Sequence, residues 1–262
     1  MRMNLYLTRF DSKIYENLDQ ILDVLELHYS KKETYDLCTF PVERSFENPD
    51  ARPLLKSFEK NNIQSEDYTY YTMLIRYGIL DNMEFRLGWD FVEGVTKVNG
   101  NKLNNVMSGL SPLLLGLKID IAEENGAMPE IALIGHVFPI FSASADYRPE
   151  YTSVDFRLSL SHTLSENSSL GYNIGAQWGE DSPEAAAIYT VAYGYSITDK
   201  FGAYAELYGD LPEDSSANHY WDAGFTYLVS NDFQLDAYFG TSITKGQDIL
   251  LGLGFSYRIR KK

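Results

Sequence analysis

The sequence predicts an all-β chain: an antiparallel transmembrane β-barrel of about 12 strands, preceded by an atypical, partly helical N-terminal segment. Three observations carry this expectation. From about residue 67 to the end, apolar and polar residues alternate with period 2, the repeat of a strand with one apolar and one polar face. The alternating runs are about 10–14 residues long. Soluble strands have roughly 5–6 residues, whereas a strand that crosses a bilayer needs about 9–11. The links between runs alternate between short and long, as in barrels with tight turns at one end and longer loops at the other.

Residues 1–52 are charged and irregular and form a first region. Within it Ile14, Leu18, Ile21, Leu22 and Leu25 recur at helical spacing, which predicts an amphipathic helix over 13–28. Residues 53–262 form the barrel region, where Pro53 to Lys60, despite poor alternation, supplies a candidate twelfth strand. Eleven clearer strands lie near 68–79, 83–95, 109–121, 129–141, 151–164, 169–179, 187–198, 201–210, 219–230, 233–243 and 248–260. In 83–92, Met83, Phe85, Leu87, Trp89 and Phe91 oppose Glu84, Arg86, Gly88 and Asp90. In 249–259, Ile249, Leu251, Leu253, Phe255, Tyr257 and Ile259 oppose Leu250, Gly252, Gly254, Ser256 and Arg258. Short links fall at Leu80-Asp81-Asn82, Ser165 to Ser168, Asp199-Lys200 and Asn231-Asp232, with a slightly longer turn at Glu123 to Gly126. Longer links fall at 96–108, 142–150, 180–186 and 211–218, and Gly246 marks a tight last one. Twelve strands place both ends of the barrel on the periplasmic side.

Alternation does not say which face is inside. The length of the apolar faces favours a lipid-facing exterior. So does charge at mid-strand on the opposite face. Bulky aromatics near strand ends, Tyr77, Trp89, Phe91, Trp178, Tyr195, Trp221 and Tyr257, suit the two membrane interfaces. Closure also removes the exposed edges of a long open sheet. The competing reading is a soluble sandwich or lipocalin-like barrel with the apolar face inward.

Composition narrows the function. There are 37 acidic and 22 basic residues, a net charge of −15, which opposes non-specific nucleic-acid binding. The single cysteine, Cys38, excludes an internal disulfide framework and a multi-cysteine metal site. The 20 Tyr, 14 Phe and 19 Gly fit a strand-rich chain. No run of 18 apolar residues offers a spanning helix. No HExxH, EF-hand or paired-cysteine spacing appears, so neither metal nor cofactor is expected. Ser161 and His162 are adjacent but fall on opposite faces of a strand, which argues against a Ser–His pair and against an enzyme. Asp210, Glu213 and Asp214 read as a solvated acidic loop.

The candidate functional residues are those expected to line the lumen: Arg76, Glu84, Arg86, Asp90, Lys118, Asp155, Arg157, Glu206, Asp222, Asp236 and Arg258. Pairing across the Asp81-Asn82 turn is expected to bring Arg76 close to Glu84 or Arg86. Two roles stay open for this set, a structural ion-pair network and a constriction that selects permeants by charge. Inward Tyr204, Tyr208 and Tyr238 fill space or contact aromatic or sugar-like solutes.

Tyr77-Gly78-Ile79-Leu80-Asp81-Asn82-Met83-Glu84-Phe85-Arg86 resembles a segment of a bacterial outer-membrane family named for a MetA pathway of phenol degradation. Further pieces that resemble it, in order, are Gly109-Leu110-Ser111-Pro112, Pro129 to Leu133, Phe156-Arg157 to Ser165, Tyr193 to Ser196 and Gly254 to Arg258. The likeness covers about residues 60–260. It implies an outer-membrane barrel for passive passage of small, hydrophobic or aromatic solutes. The alternatives are a non-transporting structural or adhesive barrel and, further off, a barrel lipid hydrolase. Expected partners are outer-membrane lipid and lipopolysaccharide, a small-molecule permeant and, on export, the barrel-assembly machinery. The expected location is the bacterial outer membrane. The start departs from the family: residues 1–30 carry Asp11, Glu16, Asp19, Asp23 and Glu26 where a signal peptide has an apolar core. An altered gene start or reading frame and a genuine N-terminal helix both account for that.

Overall fold

The structure, a computed structural model, describes residues 35–37, 55–60, 63–103, 107–180, 182–213, 215–244 and 247–259. The helix expected over 13–28 lies outside the described residues. Among the described residues no helix is long and apolar enough to cross a membrane.

Among the described residues, fifteen strands make one antiparallel sheet. They are β1 (Tyr35–Leu37), β2 (Leu55–Lys60), β3 (Ile63–Leu80), β4 (Met83–Val98), β5 (Asn101–Lys102), β6 (Met107–Leu110), β7 (Leu114–Ala122), β8 (Glu130–Phe138), β9 (Tyr151–Ser165), β10 (Ser168–Glu180), β11 (Ser182–Ser196), β12 (Phe201–Pro212), β13 (Asn218–Ser230), β14 (Phe233–Ser242) and β15 (Gln247–Tyr257). Each strand pairs with its neighbour in sequence from β7 to β15. Strand β15 then pairs with β2, β2 with β3, β3 with β4, and β4 with β7. The succession of ladders therefore returns to its start, with β2, β3, β4 and the eight strands before β15, together with β15 itself, as staves. The β15–β2 link is the shortest, Gln247–Leu251 against Phe58–Leu55.

Two differences from the sequence expectation concern the wall. Strand β3 holds β4 along one edge, so β1 and β2 share its other edge: β1 against Ile75–Tyr77 and β2 against Ile63–Tyr68. The first stave is thus built from two separate pieces. The strand expected over 109–121 is interrupted at Ser111-Pro112-Leu113. Residues 107–110 and 114–122 both pair with β4 but bulge away between. Proline there lacks the N–H a ladder needs.

Exposure settles the orientation of the sheet. The apolar face is open: Leu253 is 72% exposed and Phe255 65%, and Leu117, Leu133, Phe156, Ile174, Leu207, Phe225 and Leu235 are exposed as well. The enclosed face holds the charges: Arg86 is 1% exposed and Lys118 2%, and Arg76, Asp155, Arg157 and Asp222 are buried. A soluble protein does the reverse. Strand β4 is buried more generally, for Leu87 on the apolar side is buried too. Exposed Tyr195, Tyr227 and Tyr257 stand near strand ends, as an interface girdle requires. Trp89 plays a different part, because its indole N–H donates to the Ser111 carbonyl at 2.8 Å and pins the bulge.

The β8–β9 loop, residues 139–150, contains two 3-10 turns, Ile140–Ser142 and Ala145–Tyr147. It does not stand free. The Ser144 N–H donates to the Leu110 carbonyl (3.0 Å) and the Leu110 N–H donates to Ser144 Oγ (2.9 Å). The Leu113 N–H donates to Ser142 Oγ at 2.8 Å. The loop thereby satisfies the backbone of β6 and the bulge beyond the point where β8 stops, which blunts an otherwise open edge.

Candidate functional site

A repeated local rule positions the lumen side chains. Bulky or charged inward residues sit directly opposite an inward glycine on the next strand. The register pairs Arg86 with Gly116, Gly116 with His136, Arg157 with Gly175, Asp222 with Gly240, Tyr204 with Gly224, Tyr238 with Gly252 and Asp236 with Gly254. At Gly116, Gly252 and Gly254 an added Cβ would run into the His136 ring, the Tyr238 ring and the Asp236 carboxylate. Glycine is required there for space, not for an unusual backbone angle.

The lumen candidates divide into two walls. On the first, cations and carboxylates are matched. Arg76 Nε lies 2.8 Å from Glu84 Oε1, and Arg86 Nε lies 3.8 Å from the same oxygen. Arg76 and Arg86 are direct cross-strand partners, so Glu84 stands between two guanidiniums and offsets their repulsion. Lys118 Nζ is 3.1 Å from Asp120 Oδ1. Asp155 sits between Arg157, at 3.6 Å, and His136, whose Nδ1 is 3.0 Å from Oδ1. Asp90 is buried and lies 3.4 Å from Ser111 Oγ, tying this wall to the bulge. Arg258 projects from the strand end, with its backbone N–H donating to Asp232 O at 2.8 Å.

The second wall is β12, β13 and β14. It carries Glu206, Asp222 and Asp236 together with Tyr204, Tyr208 and Tyr238, and Tyr208 stacks on Tyr220 at 5.3 Å between centroids. In the ring this wall lies across from β4, β7 and β8. Sequence reasoning named the carboxylates and tyrosines here, but passed over Gln234, Ser256 and His136. All three share strand parity with Asp236, Gly254 and Ile134, so the same period-2 count places them inside.

The Ser161–His162 pairing is not formed. His162 Nε2 lies 3.3 Å from the Tyr172 hydroxyl and its Nδ1 3.9 Å from Glu124 Oε1. Of the acidic loop residues, Asp210 accepts from Asn218 Nδ2 at 2.9 Å, and Asp214 is outside the described residues.

Comparison with known proteins agrees with this architecture. The family model described as "Putative MetA-pathway of phenol degradation" matches residues 59–259. The chain is similar to the crystal structure of the COG4313 outer membrane channel from Pseudomonas putida F1, with a TM-score of 0.62 at 11% identity, over 87% of this chain and 92% of that one. It is also similar to the NanC porin, with a TM-score of 0.50 at 7% identity, over 78% of this chain and 98% of that one. At identities this low the likeness concerns the fold. Among curated proteins there is no match.

Proposed function

We propose, from the premise that this chain belongs to the outer-membrane family described as "Putative MetA-pathway of phenol degradation", that it is a passive channel for small solutes across the outer membrane. The observation that carries the reading is the inversion of burial: an apolar belt open to the outside around an enclosed face of charge and tyrosine. Such a lining suits polar or aromatic-ring solutes better than plain hydrocarbons. A plain hydrocarbon would take water from these ionic and hydroxyl groups without offering them partners, which costs free energy. The channel works by lining and size, without a covalent step, and its lipid and lipopolysaccharide contacts fall on the exposed apolar belt.

The test is conductance of the refolded full chain in planar bilayers. Stepwise, ohmic currents are expected. A folded chain that inserts and never conducts would remove the channel reading. It would favour a purely structural barrel, the reading that the complete burial of Arg86, Lys118 and Ile134 on the enclosed face supports.

A further inference from the structure

The lumen face of β12 and β13 sets a carboxylate rung between two tyrosine rungs. Glu206 is the direct cross-strand partner of Asp222. On one side along the strands Tyr208 pairs with Tyr220, the rings stacked at 5.3 Å between centroids. On the other side Tyr204 pairs with Gly224, where an added Cβ would run into the Tyr204 ring. That ring fills the space over Gly224, so the two carboxylates have rings on both sides.

The neighbours on the outer strands carry no charge. Glu206 pairs with Ala192 of β11, and Asp222 pairs with Gly240 of β14, beyond which lies Leu250 of β15. Asp222 is 8% exposed, and Glu206 is partly buried. Asp222 Oδ1 makes no hydrogen bond within the chain. Among the described residues no cation forms an ion pair with either carboxylate, and Arg157 of β9, already beside Asp155, acts on Glu206 only at longer range. The other titratable groups that face the pair are the hydroxyls of Tyr204, Tyr208, Tyr220 and Tyr238, and the Asp236 carboxylate two inward rungs away on β14. None of them brings positive charge.

Two negative charges are costly in this setting. Like charges placed directly opposite each other destabilise a sheet. Burial away from a counter-ion adds the loss of water, and a carboxylate so placed is neutralised by a proton instead. Two carboxyl groups that share one site do not both ionise readily.

We propose that Glu206 and Asp222 hold one proton between them, so that the charge of this wall and the stability of the barrel both respond to pH. The pair takes the proton from solvent as the barrel forms and gives it back when the pH is raised. With the proton, one carboxyl O–H can donate to the facing carboxylate, since opposed cross-strand Cβ atoms lie about 4.5–5.5 Å apart. The pair then carries a single negative charge. Without the proton, two charges repel across the β12–β13 ladder. The folded chain therefore binds one more proton than the unfolded chain, and its stability falls as pH rises. The shared proton stands apart from the channel reading. Its effect on permeants rests on that reading, because loss of the proton makes the lumen more negative and so more selective for cations.

The test follows unfolding of the refolded full chain in urea by gel mobility without boiling, between about pH 5 and 8, where isolated carboxylates are ionised. Histidine titration is common to all the chains, so the difference between wild type and variant reads the pair. The folded-to-unfolded ratio of wild type relative to Glu206→Gln should fall as pH rises, by up to about tenfold per unit, the limit for one proton. Asp222→Asn alone, and the two substitutions together, should give the same pH profile as Glu206→Gln, because removing either partner removes the shared proton. Asp236→Asn should keep the wild-type profile. Single variants whose profiles differ from that of the double, or a wild-type profile that matches theirs, overturn the proposal. If one single variant does not fold, the other decides in the same way. In planar bilayers the wild-type preference for potassium over chloride should rise over the same range, and in Glu206→Gln it should stay level. An unchanged preference in a conducting wild-type chain overturns the link to permeants. A chain that shows the step in urea and never conducts keeps the shared proton and loses the channel reading. A chain that conducts without the step does the opposite.

Discussion

A lumen side chain in this barrel is placed as much by the glycine opposite it as by its own strand. Tyr238 reaches over Gly252, and a Cβ added there would collide with the ring. Gly252→Val should therefore cost about 1–3 kcal/mol, the usual penalty of overpacking. Tyr238→Ser in the same chain should recover most of that loss, because the two residues share one space; urea midpoints of the two singles and the double check it. At the turn end, the Thr163 N–H and hydroxyl donate to Glu124 at 2.8 and 2.7 Å. The two hydrogen bonds, side chain first, hold the Glu124 carboxyl below its ordinary range. A depressed carboxyl stabilises above its unfolded value, and that contribution fades as pH falls from about 4.5 through the lower folded value. Thr163 amide exchange should accordingly quicken with acid over that range in the wild-type chain. In Glu124→Gln it should be fast throughout and lack this acid step.

At the scale of an element, the strand is the unit that meets lipid. Strand β15 turns Leu251, Leu253 and Phe255 outward and keeps Gly252, Gly254 and Ser256 inside. Leu253→Arg should destabilise by about 2–4 kcal/mol if the residue lies near the bilayer midplane. Refolding into vesicles at graded urea concentrations measures this, and a negligible change would mean that this face meets water. The β8–β9 loop is the other element with a distinct physical role. Burial pushes the Tyr147 hydroxyl up to about 12, with nearby Asp67 adding to the shift. The neutral phenol is thus the form the docked loop favours. Its stabilisation is fully present below the ordinary tyrosine value of about 10 and is lost as pH rises towards 12. The difference in phenolate absorbance between the wild-type chain and Tyr147→Phe should isolate this hydroxyl, its ionisation appearing above the ordinary value of about 10 and towards 12.

The whole molecule should behave as a detergent-resistant ring. Every stave is hydrogen-bonded on both sides, so unboiled and boiled samples are expected to run at different positions on a gel. A chain that folds as a monomer in plain buffer without such a shift would contradict the exposure of its apolar belt. The short β15–β2 ladder is the weakest link of that ring. Substituting proline at Leu250, which pairs with both Lys56 and Gly240, should abolish the shift at lower temperature than the same change in β10.

Much of this was legible along the chain because period 2 is a local property. Strands β8 to β15 lie within a few residues of their expected bounds. The parity that sorted Leu253 from Gly252 also sorted lipid from lumen, once charge at mid-strand chose the side. The lumen residues Arg76, Glu84 and Arg86 were legible as a group because one two-residue turn joins their strands. The break at Ser111-Pro112-Leu113 was less so, since the alternation continues across it and only pairing with β4 reveals the bulge. Of the first stave, Leu55–Lys60 falls within the strand expected over 53–60, but Tyr35–Leu37 was not legible, because it is held by Ile75–Tyr77, far along the chain. The sequence by itself determined which residues face apart and where most strands turn, because those follow from neighbours one and two positions away; it missed that β10 runs to Glu180 and β11 starts at Ser182, where a longer link was expected over 180–186. Only the tertiary structure decided that Glu206 would oppose Asp222 and that Tyr204 and Tyr238 would flank Gly224. Those meetings are set by cross-strand register around a closed ring, which no single strand contains.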